Sequence, residues 1–176
     1  FENDIVPIEE KQELYEEVRI DNLYFLATGG GITFGGGEPG LYSDFIVKFK
    51  KVCNPKWKLT IETSLCVKQS HIKRLLPIID YWIIDIKDMD NKRYKRYTGR
   101  NNSLMKRNLE FLLNQGKAEQ MLIRVPYIGG YNTEVRVDEN IKLLKELGVV
   151  NIERFTYEIP SRRFSKLEDV LLGALE

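Results

Sequence analysis

Four charged side chains fall where the sequence pattern predicts the ends of strands. Tyr81 to Lys87 gives the strongest strand signal in the chain. Within it Asp85 and Lys87 share one face, roughly 6.6 Å apart at a rise of about 3.3 Å per residue. Glu62 ends the preceding predicted strand, and Arg124 lies in a later one. Buried charges are costly unless they are paired or bound to a ligand, so this group indicates a zwitterionic or phosphate-bearing ligand.

A glycine-rich stretch precedes these strands. Gly29 to Glu38 contains six glycines, of which five flank and one ends a short predicted strand, Ile32 to Gly35, and a carboxylate closes the run. Glycine loses more backbone freedom on folding than any other residue, so such a run is entropically costly. Its place at the carboxyl end of a strand, where α/β proteins bind ligands, favours a binding loop. The alternatives are a ligand-free strand-to-helix turn and, for the charges, a structural ion network.

Five predicted strands alternate with predicted helices. The strands are Ile32 to Gly35, Lys58 to Ser64, Tyr81 to Lys87, Met121 to Pro126 and Val150 to Tyr157. This alternation predicts βαβ units and parallel pairing. We expect an α/β fold of the partial parallel (β/α) barrel type, because the apolar faces of the predicted strands suit a barrel rather than a doubly wound nucleotide-binding sheet. Residues 1–176 are expected to form a single domain.

The helices follow from apolar spacing and capping residues. They are predicted at Pro7 to Thr28, Ser43 to Val52 (apolar stripe Phe45, Phe49, Val52), His71 to Ile78, Lys92 to Tyr97, Ser103 to Asn114, Glu134 to Leu147 and Lys166 to Leu175. His71, the single histidine, is expected to face solvent or cap a helix rather than to act in catalysis.

Composition excludes several function classes. With 27 Lys and Arg against 26 Asp and Glu, the net charge of +1 argues against a dedicated nucleic-acid or anionic-membrane surface. Cys53 and Cys66 form no disulfide framework, which favours reduced thiols and a cytoplasmic protein. No apolar run approaches the ~18 residues of a membrane span. We therefore expect no nucleic-acid and no membrane partner.

The motifs, taken together, resemble a known family. They are Gly29-Gly-Gly-Ile-Thr-Phe-Gly-Gly-Gly-Glu38-Pro39, Glu62-Thr63-Ser64, Asp85-Ile86-Lys87, Ile123-Arg124-Val125-Pro126 and Gly130-Tyr131-Asn132. In this order and at about these spacings they resemble the radical S-adenosylmethionine (SAM) activating enzymes of glycyl radical enzymes, whose best-known member is pyruvate formate-lyase activating enzyme. The resemblance extends to about Tyr157.

The resemblance implies a role for each site residue. Gly36, Gly37 and Glu38 are similar to the loop that receives the methionine amino group of SAM. Lys87 resembles a lysine that contacts the cofactor carboxylate, and Arg124 matches an arginine of the barrel lumen near the cofactor. The ligand set implied for a monovalent cation beside that carboxylate is Glu62, Thr63 and Asp85.

The family's chemistry is implied in the same way. A 4Fe–4S cluster reductively cleaves SAM to a 5'-deoxyadenosyl radical, which abstracts hydrogen from a glycine of a partner enzyme. The implied partners are a glycyl radical enzyme and an electron donor such as flavodoxin or ferredoxin. The cofactors carry the difficult chemistry, and the protein positions them and excludes water.

Three departures from the family pattern bear on this resemblance. The CxxxCxxC loop that holds the cluster is absent, and Phe1 falls just after its expected place, so we expect a fragment that lacks the first barrel strand. The family's Pro-Gly-Tyr-Asn is Gly129-Gly-Tyr-Asn132, and its Tyr-His pair is Tyr157-Glu158. We expect the chain alone to bind no iron, to be inactive, and to self-associate through the exposed strand Ile32 to Gly35.

Two other functions fit the same residues. Lys87 beside Asp85 suits a Schiff-base barrel aldolase in which the acid tunes the amine. A barrel without a cluster that only binds a partner protein is the other alternative.

Overall fold

Within the described part of the chain, five parallel strands form one open sheet whose spatial order, β1-β2-β3-β4-β5, is also the chain order. The structure is a computed structural model that describes residues 8–156. The strands are β1 (Gly31–Phe34), β2 (Lys58–Thr63), β3 (Tyr81–Asp85), β4 (Met121–Tyr127) and β5 (Ile152–Thr156). The predicted partial parallel barrel is confirmed, with β1 at one edge as expected. Tyr157 lies outside the described residues.

Of the described helices, two precede β1 and the others lie between successive strands in the chain. They are α1 (Ile8–Val18), α2 (Asn22–Thr28), α3 (Ser43–Val52), α4 (Gln69–Leu75), α5 (Asn91–Thr98), α6 (Ser103–Asn114) and α7 (Glu134–Glu146). Within residues 8–156, none is long and apolar enough to cross a membrane. The predicted helix Lys166 to Leu175 falls outside the described residues.

The first predicted helix is divided in two. A 3₁₀ turn, Arg19–Asp21, separates α1 from α2. At the start of α2 the Asn22 side-chain oxygen accepts hydrogen bonds from Asn54 Nδ2 and Trp57 Nε1, both at 3.0 Å. The break therefore lies where the chain is anchored to the segment between α3 and β2, a long-range contact that periodicity does not reveal.

The core lies between the sheet and the outer helices. In β3, Trp82 and Ile84 are fully buried, whereas Ile83 and Asp85 on the opposite face are half-buried. This alternation confirms the two predicted faces of the strand. The apolar stripe predicted for α3 is wrong at its last position, since Val52 is 41 % exposed. Val52 is the last residue of α3. The backbone becomes extended at the next residue, Cys53, and it is the Cys53 side chain that is buried.

Candidate active site

Strand register brings four charged side chains together at the carboxyl edge of the sheet. Asp85 and Arg124 are paired positions of β3 and β4. Arg124 Nε donates to Asp85 Oδ1 at 2.6 Å, and Arg124 Nη2 donates to Glu62 on β2. Lys87 Nζ donates to Asp85 Oδ2 at 3.0 Å. The charges alternate in sign along this charge row (Glu62, Arg124, Asp85, Lys87), so each carboxylate is balanced by a cation.

The charge row is only partly shielded from solvent. The Lys87, Asp85 and Arg124 side chains are 18, 22 and 23 % exposed, and Glu62 is the most open at 39 %. Burial works against the charged guanidinium, but hydrogen bonds to Asp85 and Glu62 outweigh it and raise the pKa of Arg124. The Phe155 ring, centred 5.7 Å from Arg124 Cζ, lies against the guanidinium.

The glycine loop faces the charge row across a cavity of about 260 Å³. Gly36 and Gly37 have φ values of +77° and +58°, and a Cβ at either position would point into open space. An L side chain would be strained in this backbone, and a ligand can lie directly against it. The residues that line the cavity are Gly36, Gly37, Glu62, Thr63, Ser64, Asp85 and Lys87. Six of the eight predicted site residues therefore meet here.

Glu38 lies outside the lining of this cavity. Its Oε1 accepts from the Gly40 N–H at 3.0 Å and from Thr63 Oγ1 at 2.6 Å. Its Oε2 accepts from the N–H and the hydroxyl of Ser64, at 2.9 and 2.6 Å. The carboxylate thus accepts four hydrogen bonds, three of which join the glycine loop to Thr63 and Ser64 at the end of β2.

Thr63 contributes to the cavity differently from its neighbours. Strand alternation turns its side chain to the helix-covered face, where the residue is 3 % exposed. There the hydroxyl donates to Glu38 and accepts from the Leu65 N–H at 2.9 Å. Among the described residues, no three His, Cys, Asp or Glu side chains lie close enough to hold a metal ion. The cation site of Glu62, Thr63 and Asp85 stays a prediction.

The residues present do not fit a 4Fe–4S cluster. Such a cluster is held by cysteine thiolates, and the sequence has two cysteines, separated by twelve residues. Burial raises the pKa of the Cys53 thiol, which disfavours the thiolate. The Cys66 sulfur lies 2.8 Å from Tyr94 Oη, with which it forms a hydrogen bond.

The loop after β2 is supported by a buried side chain that the sequence pattern did not predict. Buried Asn108 on α6 donates from Nδ2 to the carbonyls of Leu65 and Val67, at 2.9 and 2.8 Å. Leu65 has a φ of +58°, a strained value for a non-glycine residue. An asparagine among the apolar positions Met105 and Leu109 was the available signal, since a buried amide needs partners.

Sequence comparisons place the chain in a family. The model of the radical SAM superfamily matches residues 4–160. The chain is 32 % identical over 149 residues to the indoleacetate decarboxylase activating enzyme of Tractidigestivibacter scatoligenes, covering 75 % of this chain and 47 % of that one. It is 35 % identical over 140 residues to the (2S)-3-sulfopropanediol dehydratase activating enzyme of Klebsiella oxytoca, covering 78 % and 44 %. The chain spans about half the length of these relatives.

Solved structures share the fold. A domain of pyruvate-formate lyase-activating enzyme from Bacteroides vulgatus aligns with a TM-score of 0.53 at 20 % identity, over 71 % of this chain and 98 % of that one. Streptococcus suis SuiB aligns with a TM-score of 0.63 at 16 % identity, over 99 % of this chain and 42 % of SuiB. The sequence resemblance to activating enzymes is confirmed, and the chain belongs to the radical SAM superfamily.

Proposed function

We propose that this chain is the SAM-binding part of an enzyme that activates a glycyl radical enzyme. Membership of the superfamily implies SAM and a 4Fe–4S cluster as cofactors. The observation that carries the proposal is the cavity in which the bare backbone of Gly36 and Gly37 faces the charge row. The activating enzymes among the relatives support the choice of a glycyl radical enzyme as the protein substrate.

The cavity suits the zwitterionic methionine end of SAM. Lys87 donates one of its three N–H groups to Asp85, so two remain for a ligand carboxylate. The ligand ammonium can approach the backbone of Gly36 and Gly37, where no Cβ intervenes. Arg124 acts on the ligand indirectly, because its hydrogen bonds hold the carboxylates of Asp85 and Glu62 in place. It is a positioning residue, because it does not line the cavity.

The roles of the chain are to bind, to orient and to exclude water. In the full-length enzyme, the cofactors would supply reductive cleavage of SAM and hydrogen abstraction from a glycine of the partner, with electrons from a donor such as flavodoxin or ferredoxin. Glu38 keeps the glycine loop against β2, so Gly36 and Gly37 stay at the mouth of the cavity. Lys87 is ion-paired with Asp85. An aldolase needs a neutral amine, so this contact gives no support to the Schiff-base alternative.

A monovalent cation is part of the proposal. Glu62, the most exposed member of the charge row, and Asp85 bring hard carboxylate oxygens to neighbouring strand ends. A sodium or potassium ion would bind these carboxylate oxygens, which Arg124 also contacts, and would bind the ligand carboxylate as well. We expect activity of the full-length enzyme to fall when potassium is replaced by tetramethylammonium at equal ionic strength. Equal activity in the two salts would show that Glu62 and Asp85 bind no monovalent cation and are paired with Arg124 and Lys87 alone.

The 176 residues alone are expected to bind no cluster and to leave SAM uncleaved. The support is the pair of cysteines, one buried and one hydrogen-bonded to Tyr94. Strand β1 at the sheet edge also leaves backbone groups available for pairing, so we expect self-association. Anaerobic reconstitution with iron and sulfide, followed by iron analysis and sedimentation, tests both. Iron bound at the level of a cluster, with deoxyadenosine release, would refute the expected inactivity of these residues. A monomer in sedimentation would refute the expected self-association.

The proposed function is tested on the full-length enzyme that contains this chain. We expect it to release deoxyadenosine from SAM under reductant and to produce a glycyl radical signal, seen by electron paramagnetic resonance, on a glycyl radical enzyme from the same organism. Deoxyadenosine release with no radical on any such partner would retain the radical SAM chemistry and reject the proposed substrate.

A further inference from the structure

Positive charge is concentrated in one stretch of this nearly neutral protein. Residues 91–107 hold seven of the 27 Lys and Arg and no Asp or Glu. The rest of the chain keeps 20 cations and 26 acids, a balance of −6. Five exposed cations on or just after α5 form what we call the α5 surface: Lys92, Arg93, Lys95, Arg96 and Arg100. None of the five makes a salt bridge to a carboxylate of the described residues.

The α5 surface borders the candidate active site. Lys87 of the charge row is followed by a three-residue loop, and α5 begins at once after it. The loop is rigidly held, because Arg136 Nη2 donates to Asp88 Oδ1 at 2.8 Å and the Met89 N–H donates to Asn140 Oδ1 at 2.9 Å. The start of α5 therefore lies at the edge of the sheet that bears the cavity.

A cleft of about 360 Å³ opens between α5 and the loop after β4. Lys92, Arg93 and Arg96 line it together with Asp90 and Tyr131. Tyr131 is 48 % exposed and packs edge-on against Tyr97, with the ring centroids 4.9 Å apart. A half-exposed aromatic side chain among cations is the composition of a protein-docking surface, in which Tyr and Arg are enriched.

We propose that the α5 surface docks an acidic segment of the protein substrate and so brings its glycine to the adjacent cavity. The proposal rests on the proposed function, which requires a protein to reach this edge of the sheet. Charge complementarity identifies the occupant as acidic. The surface is also short, since the eight residues of α5 extend about 12 Å at ~1.5 Å per residue. A nucleic-acid site usually needs a longer track of phosphate contacts, and the −6 balance elsewhere would oppose it.

Electrostatic docking makes the association rate sensitive to charge and salt. The test is the double reversal Lys92→Glu with Arg96→Glu in the full-length enzyme. We expect association with the partner to slow by about tenfold or more at ~50 mM salt. The difference should shrink at ~0.5 M salt, where screening acts within a few ångströms. The matched control is Lys48→Glu with Lys51→Glu on α3, two exposed lysines that change the net charge equally.

The measurement is biolayer interferometry, with a glycyl radical enzyme from the same organism immobilised as the probe. Loss of association in the α5 variant alone, with unchanged SAM affinity, supports the proposal. Equal rates for the α5 variant and the control, while the glycyl radical still forms, would overturn it and leave the proposed function standing.

Two further probes separate other polyanions from the protein. If the α5 variant lost binding to a 20-nucleotide RNA or to phosphatidylserine vesicles but kept its association with the partner, the docking proposal would be overturned. If the unmodified enzyme formed neither deoxyadenosine nor the glycyl radical, the proposed function would be rejected. If its binding to the partner were then also independent of salt, the docking proposal would be rejected as well.

Discussion

Glu38 and Ser64 are joined by two hydrogen bonds, one from the Ser64 backbone N–H at 2.9 Å and one from its hydroxyl at 2.6 Å, both to Glu38 Oε2. The second carboxylate oxygen accepts from Thr63 and from the Gly40 N–H. The acid that closes the glycine loop thus fixes the loop to the end of β2. Its effect on a ligand is indirect, through the backbone of Gly36 and Gly37.

Replacing Glu38 should therefore cost stability. Glu38→Ala removes an acceptor from four donors, and a hydrogen bond to a charged group contributes about 1.5–3 kcal/mol. Allowing for water at this half-buried site, we expect the free energy of unfolding to fall by roughly 2–4 kcal/mol in urea titrations. Glu38→Gln should lose less, because it keeps one oxygen acceptor. A loss no larger than that of Glu17→Ala, at an exposed position of α1, would contradict this role.

The sequence was sufficient to predict the strands and the faces of β3, because alternation alone separates Trp82 and Ile84 from Asp85. It also predicted that Asp85 and Glu62 lie at neighbouring strand ends. It could not predict the partners of Glu38, since these depend on how a glycine loop folds back on another strand. The family resemblance groups Thr63 with Glu62, although adjacent residues of a strand face opposite sides.

Arg124 is expected to hold the charge row together. Arg124→Met leaves Glu62 and Asp85 close to each other without their shared cation. Since these side chains are partly exposed, we expect a destabilisation of about 1–3 kcal/mol, below the ~3–5 kcal/mol of a fully buried pair. In a double-mutant cycle, Asp85→Asn should recover part of the loss. Additive effects of the two changes would show that the contact between Arg124 and Asp85 contributes nothing to stability.

His71 gives the protein a pH-dependent contact between α3 and α4. Its Nδ1 lies 2.8 Å from Ser43 Oγ, a buried hydroxyl that also accepts from Arg74. Burial, assisted by the charge of Arg74, lowers the pKa of His71 below the ordinary ~6.5. In the interval between the lowered value and ~6.5 the unfolded chain binds more protons, so stability falls as the pH falls.

We therefore expect the free energy of unfolding to decrease between pH 7 and pH 5, and to decrease less in His71→Gln. The difference between the two proteins isolates the imidazole from carboxylates that titrate at lower pH, such as Asp80, whose pKa is lowered by hydrogen bonds from Leu59 and Lys58 in spite of its burial. Parallel pH profiles for the two proteins would exclude His71 as the source.

The proposed contact between Lys87 and the SAM carboxylate is tested by measuring SAM binding to the Lys87→Ala variant of the full-length enzyme. Lys87 lines the cavity and has two N–H donors to spare, whereas Lys68, an exposed lysine before α4, lies outside the lining and provides the control Lys68→Ala. Loss of a charge-assisted contact of roughly 1.5–3 kcal/mol should raise the Kd of SAM by about 10- to 150-fold, as measured by isothermal titration calorimetry. Lys68→Ala should bind as tightly as the unmodified enzyme. An unchanged Kd in Lys87→Ala would remove Lys87 from the cofactor site and contradict its proposed contact with the SAM carboxylate.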